Sequence, residues 1–123
     1  MTATFDSSAW AELFSASKCT KPLKEVMRSK ETVYTSALSI LEVRVFCDRM
    51  KQDWKAPIEF IRKRSKIVPA DENICIKAAE VRQAFKLHTV DAIIYATALQ
   101  TGTTLYTKDG DFENVPGVQM LSE

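Results

Sequence analysis

The sequence predicts an α/β protein built on a parallel sheet with helices on both faces. Three observations carry this reading. Short runs of β-formers alternate with longer amphipathic stretches almost from end to end. The strand candidates are brief and apolar throughout, as expected for strands buried on both faces. Helix punctuation falls between them, with Ser36 and Asp71 as caps, Lys21-Pro22 as a start and Gly102 as a stop.

Thr2 to Phe5 reads as the first strand and ends at Asp6. Ser7 or Ser8 can cap the next helix, whose apolar positions are Ala9, Trp10, Leu13 and Phe14. Leu23, Val26 and Met27 make one face of a second helix. Val33 to Thr35 is the second strand, followed by a helix from Ala37 to Met50. Its stripe of Leu38, Leu41, Val45 and Phe46 is expected to face the core, with Glu42 beside it. A helix from Pro57 runs into the basic residues Arg62 to Lys66, and Ile67-Val68 is the third strand. Ile74, Ala78, Val81 and Phe85 give the next helix its core face. Val118 to Leu121 forms a short last strand. Trp54 is expected to fill the core.

The stretch from Thr89 to Phe112, TVDAIIYATALQTGTTLYTKDGDF, organises the rest. A polar cap opens a helix that has Asp91 in its first turn, and Gly102 ends it. Thr103 to Tyr106 is a buried strand that runs directly into Asp109 and Asp111. In βα proteins ligands bind beyond the carboxyl ends of the strands. Asp6 stands at such an end, although an acid there can equally be a helix cap. A carboxylate at Glu42 loses hydration unless a cation compensates or Arg49 pairs with it. Gathered together, Asp6, Glu42, Asp91 and Asp109 or Asp111 would repel one another unless a cation lay between them. Oxygen-only ligands suit Mg²⁺ or Mn²⁺ rather than zinc, and such an ion supports phosphodiester hydrolysis.

Composition narrows the alternatives. At 123 residues, 46% hydrophobic and 27% charged, the chain has the size and balance of one domain, 1–123. A net charge of +1 does not by itself attract nucleic acid, so a polyanion needs a local patch. Cys19, Cys47 and Cys75 are far apart and lack a CxxC pair; each is expected to be a small buried hydrophobe in a helix. The lone His88 leaves no basis for a histidine metal site, and its expected role is surface or capping. With no bilayer-length apolar run and no signal-peptide pattern at MTATFDSSAW, the expectation is a cytoplasmic protein without a membrane partner.

The phrases FDSSAW, SILEV, TVDAIIYATAL and LYTKDGDF, in this order, resemble the PIN-domain ribonucleases. The likeness is strongest to the small VapC-type toxins of prokaryotic toxin–antitoxin pairs, and it spans Thr4 to Leu121. By motif, Asp6, Glu42 and Asp91 match the first three acids of that family. Asp109 matches the acid after a T-x pair, with Thr107 as the accompanying hydroxyl. Members vary over whether that position or the one before the phenylalanine supplies the carboxylate. Both Asp109 and Asp111 are acidic here, so the choice stays open with Asp109 favoured. Ser8 matches a small polar position beside the metal.

The resemblance implies a three-layer α/β/α sandwich with a central, mainly parallel sheet. It further implies metal-dependent cleavage of single-stranded RNA by in-line attack of water, leaving a 3′-hydroxyl and a 5′-phosphate. Asp6, Asp91 and Asp109 would hold Mg²⁺ or Mn²⁺, and Glu42 would orient water or a second ion. A homodimer is implied, as is an antitoxin whose basic tail plugs the acidic pocket. Arg44, Arg49, Arg62 and Arg64 are the candidates for contact with the RNA backbone.

Three other readings compete. A phosphoacceptor receiver domain would need an acidic pair after the first strand, where this chain has Phe5-Asp6-Ser7. A docking module on the same fold would tolerate missing acids, yet all four positions are filled. A PIN nuclease of RNA processing, outside any toxin pair, would carry the same residues.

Overall fold

A computed structural model describes residues 2–15 and 17–122. Residues 1, 16 and 123 lie outside it, and with them the two ends of the expected 1–123 domain. The strands are β1 (Ala3–Phe5), β2 (Val33–Ser36), β3 (Lys66–Val68), β4 (Thr104–Thr107) and β5 (Val118–Met120). Between them run α1 (Ser7–Ser15), α2 (Lys21–Arg28), α3 (Ala37–Arg49), α4 (Lys55–Arg64), α5 (Glu72–Phe85) and α6 (Thr89–Thr101).

The sheet order is β3-β2-β1-β4-β5, and every neighbouring pair is parallel. The chain therefore builds outward from β1 on one side, then returns to lay β4 and β5 on the other. Where the order reverses, the carboxyl ends of β1 and β4 lie side by side, with Phe5 opposite Tyr106. Helices cannot cover both ends there, so a crevice opens. Asp6 follows the first of these strands and Lys108-Asp109 the second.

Two cores sandwich the sheet. Phe5, Trp10, Leu23, Val33, Val43 and Ile61 belong to the one under α1 to α4. Ile74, Ile94, Tyr95, Leu105 and Phe112 belong to the other, with α5 and α6. Trp10 is fully buried, edge-on to Phe5, and its indole N–H donates to Thr35 Oγ1 at 3.1 Å. Ser36 and Asp71 cap α3 and α5 as the sequence predicts, each accepting a backbone N–H. Gly102 ends α6 in the left-handed region at φ 66°, where a side chain would be strained.

Several expectations are corrected. The cap of α1 is neither Ser7 nor Ser8 but Asp6, whose Oδ1 accepts the Ala9 N–H at 2.9 Å. At α6 the N-cap position is His88, and its side chain makes no capping bond. The apolar stripe of α3 does not face the core: Leu41, Val45 and Phe46 are 59%, 44% and 41% exposed. Ser39, Val43 and Cys47 are buried instead, since apolar residues lie around the helix and the smaller ones fit closest to the sheet. Cys19 and Cys47 are buried, the former in a 3-10 turn (Lys18–Thr20), whereas Cys75 is exposed. Trp54 packs partly buried against the first core, and the Arg44 guanidinium lies over its ring at 4.2 Å.

Candidate metal centre

Asp6 is the buried member of the site, 5% exposed beyond the end of β1. Both of its oxygens are occupied by donors. Oδ2 accepts Thr107 Oγ1 at 2.5 Å, and Oδ1 accepts Ser8 Oγ at 2.7 Å besides the Ala9 N–H. Each hydroxyl is in turn held by the segment after β4. The Lys108 N–H donates to Ser8 Oγ at 2.8 Å, and the Asp109 N–H to Thr107 Oγ1 at 3.0 Å. One carboxylate thus ties the start of α1 to the loop that carries two further acids. Burial pushes the Asp6 carboxyl above its usual range, and the Asp109 charge adds to this; the Thr107, Ser8 and Ala9 donors oppose it.

Asp91 lies in the first turn of α6, where backbone N–H groups favour an anion. The crowding nevertheless wins. Desolvation, then the charges of Asp109, Glu42, Asp111 and Asp6, raise its pKa to about 6. Oxygens of Asp91, Asp109 and Asp111 lie within 4.8 Å of one another. Asp109 Oδ1 also accepts the Asp111 N–H at 2.9 Å, which fixes the short 3-10 turn Gly110–Phe112.

Glu42 approaches from α3. Ser7 Oγ donates to its Oε1 at 3.1 Å, a contact that sequence reasoning did not foresee. Desolvation raises the Glu42 pKa, and the charges of Asp6 and Asp109 raise it further. Five carboxylates from four segments therefore sense one another at one edge of the sheet. The donors are all oxygen and mutually repulsive, a set that a hard divalent cation satisfies. Asp91, Asp109 and Asp111 provide the tight trio; Asp6 and Glu42 stand outside it but within its field.

The basic residues divide. Arg49 lines a groove of about 410 Å³ together with Ser7, Ser8, Glu12 and Glu42. Arg44 pairs with Asp48 at 3.1 Å, facing Trp54. Arg62 pairs with Glu59, and Arg64 donates to the carbonyls of Val26, Met27, Ser29 and Glu31 at the end of α2. The last two stand where α4 leads into β3, at the amino edge of the parallel sheet. They are not brought to the acids. His88 is exposed, with Nε2 3.7 Å from Asp111 Oδ2.

The PIN domain model matches residues 3–118. A curated relative, a VapC ribonuclease of Pyrococcus furiosus, is 29% identical over 111 residues, covering 86% of this chain and 73% of that protein. Among solved structures, a toxin–antitoxin complex from Klebsiella pneumoniae aligns with a TM-score of 0.79 at 28% identity over 98% of both chains. The VapC20 toxin of Mycobacterium tuberculosis, described as cleaving the sarcin–ricin loop, aligns at TM-score 0.75 and 23% identity, over 98% of this chain and 99% of that one. VapBC2 of Rickettsia felis, bound to promoter DNA, shares the fold at TM-score 0.79 and 14% identity, over 99% of this chain and 100% of that one. No helix among the described residues is long and apolar enough to cross a membrane. With the motif, the sheet order and the clustered acids agreeing, the chain belongs to the PIN domain family.

Proposed function

We propose that this chain is an endoribonuclease that hydrolyses phosphodiesters of single-stranded RNA with Mg²⁺ or Mn²⁺, and that it is the toxin of a toxin–antitoxin pair. The observation that carries the reading is the convergence of five carboxylates in a PIN-domain chain. The curated VapC relative gives the RNA substrate, and the Klebsiella complex gives the antitoxin.

A divalent ion at such a site supplies an acidified water and neutralises charge on the phosphoryl oxygens. The protein's own part follows from its hydrogen bonds. Asp91, Asp109 and Asp111 offer one oxygen each to the ion. Asp6 stays in place through its three donors and holds Asp109 at the mouth through Thr107. Ser7 occupies Glu42 Oε1, which leaves Oε2 to take a proton from the attacking water. A carboxyl raised above its ordinary range is better matched to that task near neutral pH. Arg49 contacts the RNA backbone along the groove that Glu42 shares.

A partner surface fits the same reading. Phe14, Leu41, Val45, Phe46 and Phe60 are exposed on α1, α3 and α4, and adjoining grooves connect them. An apolar face of that kind is covered in assemblies. We assign it to a partner protein, an antitoxin or a second copy of the chain. The proposed activity is tested by treating total cellular RNA with Mn²⁺ and sequencing newly formed 5′-phosphate ends. Wild type should create discrete ends that Asp91→Asn, Glu42→Gln and EDTA each abolish. Identical end maps for wild type and Asp91→Asn would refute the activity.

A further inference from the structure

Ser8 and Glu12 are one turn apart on α1, so both side chains lie on one face of the helix. That face meets the segment after β4 twice through a single residue. The Lys108 backbone N–H donates to Ser8 Oγ at 2.8 Å, while its ammonium Nζ lies 2.9 Å from Glu12 Oε1. Glu12 is anchored for this contact, with its side chain only 14% exposed and its Oε2 accepting the Ser17 hydroxyl. The Ser17 hydroxyl and then the Lys108 ammonium hold its carboxyl below the usual range.

Lys108 stands in the chain between Thr107 and Asp109, which makes its ammonium a cation tethered directly to the acidic cluster. A lysine stem is flexible enough to swing toward either partner. The charges that act most strongly on Asp91 are all carboxylates, so the cluster offers an uncompensated destination. Glu12 lies six residues beyond Asp6, about 9 Å farther along the helix axis.

We propose that Glu12 is a positioning residue that holds the Lys108 ammonium along α1, away from the clustered carboxylates, and so keeps their negative field for a divalent cation. The proposal rests on the reading of those carboxylates as a cation site. Without Glu12, Lys108 becomes an internal counter-ion that competes with the metal. Lys108 itself is then dispensable for binding, provided it is not left loose.

This is tested by titrating Mn²⁺ alone into wild type, Glu12→Gln, Lys108→Met and the double variant by calorimetry. Glu12→Gln should bind Mn²⁺ about tenfold more weakly, the effect of one opposing charge near a carboxylate. Lys108→Met should bind at least as tightly as wild type, and the double variant should return to the Lys108→Met affinity. A purely structural tie would leave the double variant as weak as Glu12→Gln, which overturns the proposal, as would unchanged affinity in Glu12→Gln. Absence of Mn²⁺ binding by wild type would remove the cation-site reading beneath it, a result distinct from either.

Discussion

Thr107 Oγ1 donates to Asp6 Oδ2 at 2.5 Å, joining the ends of two strands that are 101 residues apart in sequence. The same hydroxyl accepts the Asp109 N–H, so it relays the position of one acid to another. Thr107→Val keeps the shape of the side chain and deletes the relay. A buried carboxylate then loses a donor, which costs about 1–3 kcal/mol. Urea unfolding of the two proteins at pH 7 measures this, and the loss should shrink as acid protonates Asp6.

Asp91 gives the pH dependence of the metal-free protein its sign. Its folded pKa is about 6 against an ordinary 3.8, so the folded state binds this proton more tightly than the unfolded one. The penalty is fully present above the folded value and is relieved as pH falls toward 3.8. Thermal melts in EDTA should therefore show Asp91→Asn more stable than wild type at pH 7, by about 3–6 °C. That gap should close between pH 6 and 4, the window that the two pKa values define.

The exposed and buried faces of α3 make opposite predictions. Leu41→Gln and Val45→Gln remove side chains that already meet solvent and should change stability by less than about 0.5 kcal/mol. Val43→Ala, at 4% exposure, should cost about 1–3 kcal/mol through the cavity it leaves. Denaturant midpoints of the three variants would decide which face packs on the sheet.

Arg64 serves the fold. Its guanidinium satisfies carbonyls at the end of α2, so Arg64→Ala should cost about 1.5–3 kcal/mol. The salt dependence of RNA binding should be unaffected by this change, whereas Arg49→Gln should flatten it by about 0.7 in logarithmic slope. Binding of an Asp91→Asn background to single-stranded RNA across a salt series separates the two.

Much of the fold was legible because its signals are local. Ser36, Asp71 and Gly102 announce helix ends through their own chemistry, and short β-branched runs between helices leave little besides a parallel sheet. The acids were legible through their positions at the ends of elements. Asp6 shows where local reading stops: it is helix cap and site residue at once, and only the neighbouring β4 reveals both. The face of α3 misled because Leu38, Leu41, Val45 and Phe46 have core spacing, yet the tight space against the sheet admits Ser39, Val43 and Cys47. Ser7 with Glu42, and Glu12 with Lys108, are pairs across 35 and 96 residues. No periodicity encodes contacts that depend on how strands are ordered.

The central claim is that the clustered acids form one divalent-cation site, and thermal stability with and without Mn²⁺ tests it most directly. Present at about a hundredfold its dissociation constant, the ion should add roughly 2.7 kcal/mol to wild type, a shift of several degrees. Asp91→Asn should start from a higher metal-free melting point and gain little from the ion. Equal Mn²⁺ shifts in the two proteins, or none in either, would contradict the account.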